Sequence, residues 1–585
     1  VGKIQGPAQP PLHRRACEWA LYRSGEGYPD DQPLVVRFPD LIEQGPDALD
    51  ATTLAALHTL LVEFLNWEPI VPSQPRALAQ LLAPLCRLLR TEVATVVSRE
   101  DSALRHLSGD IRDYLFPTAS DADFADIYAQ TLTYSLLLAR ISGETDLTTA
   151  HAAEHLDSGH GLLATTLRIL THPSARAEVE LPVALLERVI AKVDPVKFSK
   201  RGDPWLYFYE DFLAAYDPAL RRQHGVYYTP QPVISCQVHL VAELLSEHFD
   251  KPLTFADEGV VFLDSSAGTG AYPLAAIHDA LARVEARLGP GAIASHATRC
   301  AENVYAFEQL VGPYAVAHLR LTQLFLAHQA TLPKDGLHVL LTDTLESPHV
   351  DPPQPPLFLA RLTTEQTRAR KVKARVPVFV CMGNPPYFRE ENDDSGSAAA
   401  HQRGKWVRFG DEDAPDQPPI LQDFVAGAGG HAKNLYNLYV YFWRWTLWKM
   451  FEQPDATRQG IVSFITASSY LRGPGFVSMR RHMREAFDEL WIIDLEGGGL
   501  GARKTENVFA IQTPVCIATG IRHGKKSATP SPASATPASP APASRSSKNS
   551  PPCEASPTSI GRTALPNRNN PSCPSSPATI SAGRS

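Results

Sequence analysis

The stretch Val260-Val-Phe-Leu-Asp-Ser-Ser-Ala-Gly-Thr-Gly270 decides the fold. An apolar run of strand length passes directly into a glycine-bearing turn, and a helix-like segment follows from Ala271. Strand, glycine turn and helix in that order make a site for a nucleotide-type cofactor, because glycines let backbone amides approach a ligand closely. Asp264, Ala267, Gly268 and Gly270 are therefore candidate cofactor-binding residues. Many Rossmann-like folds share such a turn, so its meaning depends on what surrounds it.

Outward from the turn the alternation continues. Asn303-Val-Tyr-Ala-Phe307, Leu337-His-Val-Leu-Leu341, Val376-Pro-Val-Phe-Val-Cys381, Gly460-Ile-Val-Ser-Phe-Ile465 and Leu490-Trp-Ile-Ile493 are short, mostly apolar runs separated by helix-length segments. This predicts an α/β fold with a Rossmann-like, doubly wound sheet over roughly residues 255–520. Ligands of such sheets bind at the carboxyl ends of the strands. Glu308, after the second strand, is placed to accept hydrogen bonds from ribose hydroxyls of a cofactor. It stands 38 residues beyond Gly270, against a usual spacing of ~20, so an extension near Gly289-Pro-Gly291 is expected. Asp343, after the third strand, is a candidate for holding the cofactor's adenine amino group, or else a cap on the turn Thr342-Asp-Thr344.

Residues 45–200 carry a different period. In Thr53–Leu65 and Phe124–Ile141 apolar residues recur every three or four positions, with Pro72, Pro75, Pro84 and Pro117 as punctuation. An all-α domain of six to eight helices is expected. His151-Ala-Ala-Glu-His155 has a zinc-peptidase spacing, but no downstream acidic ligand accompanies it, so a solvated helix face is the reading and no metal is expected.

The 585 residues exceed one hydrophobic core. An apolar share of 44% and a charged share of 20% are those of a soluble protein. There is no apolar run of the roughly 18 residues that a membrane span needs and no secretory signal. The eight cysteines are scattered, with no Cys-x-x-Cys pair, which fits a cytoplasmic location. After Phe509 aromatic residues cease, and from about 525 Ser, Pro and Ala dominate, so a disordered C-terminal tail is expected. That tail holds seven Lys or Arg against Glu554 alone, so the overall charge of -8 leaves -14 on the rest.

The most informative chemistry lies in Gly383-Asn-Pro-Pro-Tyr387, directly after an apolar strand. Prolines there are poor for a sheet and call for a functional reason. An exocyclic amine conjugated to an aromatic ring is a feeble nucleophile, improved when acceptors draw its hydrogens out of the ring plane. The Asn384 side-chain oxygen and the Pro385 carbonyl supply two acceptors, Pro386 stiffens the turn, and Tyr387 offers a face for a base flipped from a duplex. Proximity and hydrogen bonding then carry the rate, without a cysteine nucleophile.

Asn-Pro-Pro-Tyr after a strand, with the glycine turn upstream, resembles the amino-methyltransferases of DNA. Gly225-Val-Tyr-Tyr-Thr-Pro230 resembles the segment that closes over the methionine end of the cofactor in the gamma order, which assigns Tyr228, Thr229 and Pro230 to cofactor binding. Trp205-Leu-Tyr-Phe-Tyr-Glu-Asp-Phe-Leu-Ala-Ala-Tyr216 and Phe307–Leu319 look like the single-polypeptide type I (type ISP) restriction-modification enzymes. The resemblance covers about residues 200–520. It implies an S-adenosyl-L-methionine-dependent, adenine-specific DNA methyltransferase acting on double-stranded DNA. It also implies a parent polypeptide with an N-terminal nuclease and translocase, a helical coupler and a C-terminal recognition domain.

The division it implies is an N-terminal extension at 1–44, a coupler-like domain at 45–200, the methyltransferase domain at 201–524 and the tail at 525–585. The nuclease and translocase are expected to be missing: the chain starts at Val1, and Gly520–Ser527 has the wrong spacing for a phosphate-binding loop. The abrupt change into the tail suggests a frame shift in place of the recognition domain. Ser265 stands where the family commonly has proline. Asn507-Val-Phe509 resembles the strand supplying a second aromatic face to the flipped base. The aromatic run Asn434–Trp445 reads as a buried helix, and the basic run Arg368, Arg370, Lys371, Lys373 and Arg375 as a loop that meets phosphates or solvent. Two other readings remain: amide methylation of a protein glutamine, which also uses Asn-Pro-Pro-Tyr, and an inactive remnant that binds cofactor alone.

Overall fold

The computed structural model describes residues 12–15, 18–21, 34–37, 49–66, 71–72, 74–114, 120–157, 160–196, 205–217, 229–350, 360–387, 404–411, 414, 416–497, 507–509 and 513–524. The expected tail at 525–585 and Tyr228 lie outside them. The chain divides into two compact units, residues 1–222 with 355–362, and residues 223–354 with 363–585.

The first unit contains a three-stranded antiparallel sheet, β1 (Leu12–Arg15), β2 (Glu18–Leu21) and β3 (Leu34–Arg37), and then helices. Among the described residues eight helices lie between Ala51 and Ala191, in keeping with the apolar period of this region. Helix Asp121–Ile141 starts at a capping box, where Ser120 and Asp123 satisfy each other's backbone amides. Pro84 does not punctuate as expected: helix Pro75–Val97 begins on Pro75 and runs through Pro84. Its apolar face, with Leu78, Leu82, Leu89 and Val93 fully buried, outweighs the lost backbone hydrogen bond. Helix Trp205–Tyr216 packs on Pro75–Val97 in this unit. Its Tyr216 hydroxyl donates to Asp126 at 2.5 Å, and Asp217 pairs with Arg90 at 3.0 Å.

The second unit is a seven-stranded sheet in the order β6-β5-β4-β7-β8-β10-β9. Its strands are β4 (Phe262–Asp264), β5 (Val304–Glu308), β6 (His338–Leu341), β7 (Val380–Gly383), β8 (Gly460–Ala467), β9 (Glu489–Asp494) and β10 (Val515–Arg522). The first five pair in parallel, and β10 runs antiparallel to both β8 and β9. All six strand runs read from the sequence become strands, while β10 was not foreseen. The doubly wound fold is therefore as expected.

The wide gap before Glu308 is filled by a second helix. Ala271–Leu288 ends at Gly289, a tight turn follows at Pro290–Ala292, and Ile293–Asn303 leads into β5. From β4 the chain builds β5 and β6 on one side and then returns to β7 on the other. The strand order thus reverses between β4 and β7, and crevices at such points are where doubly wound sheets take ligands.

Helix Leu438–Leu447, capped by Asn437, is buried along its whole length, as read from its aromatic run. The basic run is not a loop. It forms helix Ala360–Arg375, whose Ala369 and Val372 are buried. No helix among the described residues is long and apolar enough to cross a membrane.

Candidate functional site

Two motifs leave adjacent parallel strands at the same end. Leu263 of β4 pairs with Cys381 of β7, so the turn after Asp264 and the segment Gly383–Tyr387 start side by side. Their closeness explains Gly383: a Cβ there would lie 2.5 Å from Asp264 Oδ1, so any other residue would push the two motifs apart. Nothing in the local sequence marks Gly383 for this role.

The glycine turn is held from several directions. Ala267 N–H donates to the Phe307 carbonyl at 2.9 Å, joining the turn to β5. Gly268 and Gly270 have φ of +54° and +78°, a backbone region that favours glycine. The space beside them differs. A Cβ on Gly268 would meet nothing within 4 Å, whereas one on Gly270 would lie 3.2 Å from Ala317 Cβ on helix Val311–Ala327. Beside Gly268 the space is open. The first side-chain atom at Gly270 would strike the neighbouring helix. Arg320 of that helix donates to the Thr269 carbonyl at 2.5 Å, a contact with no motif to announce it.

Asp264 is fully buried, and its Oδ1 accepts the Ser266 amide at 3.1 Å. Burial pushes its carboxyl up to about 8; the Ser266 amide opposes the shift and the charge of Glu308 adds to it. Asp264 Oδ2, Ser265 Oγ and Ser266 Oγ are buried with no hydrogen-bond partner in the protein. Buried polar atoms usually have partners, so three without one on a single turn set it apart from the surrounding core.

Glu308 ends β5 as expected. Its Oε2 accepts the Gly268 amide at 2.9 Å and its Oε1 the Leu310 amide at 2.8 Å. Burial nevertheless raises its carboxyl to about 7. Each oxygen keeps a further lone pair for a ligand hydroxyl. Asp343 caps its turn, its Oδ1 accepting the Leu345 amide at 2.9 Å, the second of the two roles read for it. The same turn is roped to the glycine turn by Thr344 Oγ1, which donates to the Ser265 carbonyl at 2.5 Å. Lys373, fully buried, donates to the Asp343 carbonyl at 2.5 Å. The basic run is thus partly structural: Arg368 also turns inward, donating to the Gly336 and Leu337 carbonyls. Lys371 and Arg375 are exposed.

Asn384 is fixed from both ends of its amide. Nδ2 donates to Thr229 Oγ1 at 3.0 Å, and Oδ1 accepts the Tyr387 hydroxyl at 2.6 Å. Pro385 is buried and Pro386 half-buried. The Tyr387 ring meets Tyr439 edge-on, with centroids 6.3 Å apart at 67°, and the Tyr439 hydroxyl is 3.1 Å from Ser469 Oγ. Tyr439 was read only as part of a buried helix. Pro230 caps helix Gln231–Phe249, its carbonyl accepting the Val233 and Ile234 amides. From that helix Gln237 accepts from the Tyr272 hydroxyl at 2.8 Å and donates to the Ser463 carbonyl of β8 at 2.8 Å. This buried chain, too, had no signature in the sequence.

Asn507–Phe509 is a capped turn, where a strand was expected. Asn507 Oδ1 accepts the Phe509 amide at 2.9 Å, and its Nδ2 donates to the Gly497 and Thr513 carbonyls. Phe509 is 4% exposed. Among the described residues Tyr387 has its ring contact with Tyr439 and not with Phe509. His151 and His155, in the first unit, turn to the Asp146 and Ser142 carbonyls respectively.

No protein-family model and no curated protein matches the chain. Solved structures do match. The DrdV–DNA complex aligns with 87% of this chain and 46% of its own at 21% identity and a TM-score of 0.57. The ATP-dependent type ISP restriction-modification enzyme LlaBIII bound to DNA aligns over 77% and 29% at 20% identity, TM-score 0.58. A nuclease-deletion mutant of the type ISP enzyme LlaGI with a DNA substrate mimic aligns over 80% and 36% at 16% identity, TM-score 0.57. The chain is similar in fold to these three structures, two of which are type ISP enzymes, in line with the resemblance read from its motifs. It spans less than half the length of each.

Proposed function

We propose that this chain carries the catalytic portion of an S-adenosyl-L-methionine-dependent DNA methyltransferase of a restriction-modification system, acting on the exocyclic N6 amine of an adenine flipped from double-stranded DNA. The observation that carries the reading is the fixed amide of Asn384, set beside the glycine turn at the point where the strand order reverses.

Donation of Nδ2 to Thr229 leaves Oδ1 as the acceptor presented for chemistry. That oxygen has two lone pairs, one taken by the Tyr387 hydroxyl and one left for a substrate hydrogen. With the Pro385 carbonyl it draws the amine hydrogens out of the ring plane and raises the nitrogen's nucleophilicity. Tyr387, braced by Tyr439, is the face for the flipped base. Phe509 keeps the proposed role of a second aromatic wall. Cys381 is buried and its thiol is pushed up to about 12, so it is no nucleophile, consistent with direct transfer.

The cofactor fits what the turn offers. Asp264, Ala267, Gly268 and Gly270 form its cradle, Glu308 takes the ribose hydroxyls and Asp343 the adenine end, and Tyr228, Thr229 and Pro230 close on the methionine end. The orphaned Asp264, Ser265 and Ser266 oxygens support a ligand rich in donors and acceptors. When bound it supplies a methyl group activated by sulfonium. Orientation by the fixed amide then supplies the proximity that such a transfer needs.

The test gives the purified chain methyl-labelled cofactor with either unmethylated duplex DNA or a glutamine-bearing peptide, and identifies products by mass spectrometry. N6-methyladenine is expected. Label on the peptide alone would establish the glutamine reading, and cofactor binding with no transfer to either would establish the remnant.

A further inference from the structure

Away from this site, helix Gln231–Phe249 ends in His248, β9 begins with Glu489, and His523 follows β10. Among the described residues this is the one group of three His, Cys, Asp or Glu side chains whose ligand atoms all lie within 4.8 Å of one another. His248 Nδ1 is 3.6 Å and His523 Nε2 is 3.3 Å from Glu489 Oε1. We propose that His248, Glu489 and His523 form a binding site for a single divalent transition-metal ion of the zinc type.

The two nitrogen–oxygen distances suit that chemistry, and the three ligand atoms as a set lie within 4.8 Å of one another. A tetrahedral ion about 2.0–2.1 Å from its donors sets donor–donor edges of roughly 3.3 Å and brings two ligating imidazole centroids to roughly 5 Å. The His248 and His523 centroids are 5.4 Å apart with the ring planes 13° from parallel, so a shared ion turns one imidazole about its own axis as it binds. Imidazole and carboxylate are donors that zinc accepts, and three protein ligands leave a fourth position for water.

The ligands are also held in place, as metal ligands usually are. Glu489 Oε2 accepts the Trp491 indole N–H at 3.1 Å, turning Oε1 to the histidines. The His523 amide donates to Asp488 Oδ2 at 2.7 Å, and the Phe249 ring stacks on the His523 ring at 5.6 Å. His248 lies in the last helical turn, where the backbone's partial negative charge favours a cation. The three side chains are 24%, 28% and 32% exposed, so an ion reaches them from solvent. Because the same helix begins beside Thr229, the ion would fasten the far end of the element whose near end holds Asn384.

The experiment treats the full chain with chelator, removes the chelator, and titrates with Zn2+ by calorimetry and with Co2+ by visible absorption. One ion per chain is expected, with a Co2+ spectrum of low coordination number. His248→Ala, His523→Ala and Glu489→Gln, each checked for folding by circular dichroism, should each weaken it by more than the about 10- to 100-fold that loss of an outer-shell partner brings. In the unmutated chain, Co2+ should protect His248 and His523 from diethyl pyrocarbonate, mapped by mass spectrometry. Binding that survives all three substitutions, or histidines that remain equally reactive with the ion present, would overturn the site.

Discussion

Asn384 Nδ2 donates to Thr229 Oγ1 at 3.0 Å, a hydrogen bond between residues 155 positions apart in the chain. It joins the segment assigned to closing over the cofactor to the amide assigned to the substrate amine. In this arrangement the amide nitrogen faces Thr229 and the oxygen faces the Tyr387 hydroxyl, which leaves that oxygen a second lone pair. Thr229→Val should lower turnover by about tenfold or more, while Thr229→Ser should restore most of it. A purely structural residue would respond to both substitutions through stability, so steady-state kinetics paired with thermal unfolding separates the two roles.

Asn384→Ala removes the acceptor itself. Loss of one polarising hydrogen bond at a reacting centre costs about 10²–10³-fold in rate, so transfer should be all but abolished. Cofactor affinity, measured by calorimetry, should fall far less than turnover, since Asn384 reaches the cofactor-closing segment only through Thr229 and makes no hydrogen bond to the glycine turn. Turnover close to normal would refute the polarisation mechanism.

The two glycines of the turn should fail in different ways. Gly268→Ala puts a side chain in the left-handed region at a cost of about 1–2 kcal/mol and intrudes on open space, so it should weaken the cofactor more than the fold. Gly270→Ala adds a 3.2 Å contact with Ala317 to the same backbone strain, so its larger loss should appear in urea unfolding without any ligand. Equal stabilities for the two variants would contradict this division.

The sheet was legible where strands are apolar and bounded by turns, and it was not where β10 runs. Val515-Cys-Ile-Ala-Thr-Gly-Ile-Arg522 has no aromatic residue and carries Thr-Gly at its centre. Its strand character comes from pairing with β8 and β9 on either side. Helix Ala360–Arg375 hid in the same way, because its charges mask the apolar positions Ala369 and Val372 that bury it. The motif residues of the site could be named from local pattern, since strand, turn and helix order is local. Gly383 against Asp264, Tyr439 against Tyr387 and Thr229 against Asn384 are long-range contacts created by the fold, and a single sequence does not record them.

The buried carboxyls give the site a pH signature. Asp264 is raised to about 8 and Glu308 to about 7, in both cases chiefly by burial, from ordinary values of 3.8 and 4.5. In the folded protein they therefore hold protons that the unfolded chain has lost over that interval. Since the folded state binds more protons there, its stability falls as pH rises. The contribution is complete below the unfolded values and is lost as pH climbs through 7 and 8. Cofactor binding acts on the same groups in the opposite sense. A cationic ligand, and hydroxyls donating to Glu308, favour the ionised carboxylates, so binding should release protons near neutral pH and tighten from pH 6 to 8.5. Calorimetry in buffers of different ionisation enthalpy reads the release directly, and Glu308→Gln should reduce it. Proton uptake on binding, or an affinity flat across that range, would show that these carboxyls do not meet the cofactor.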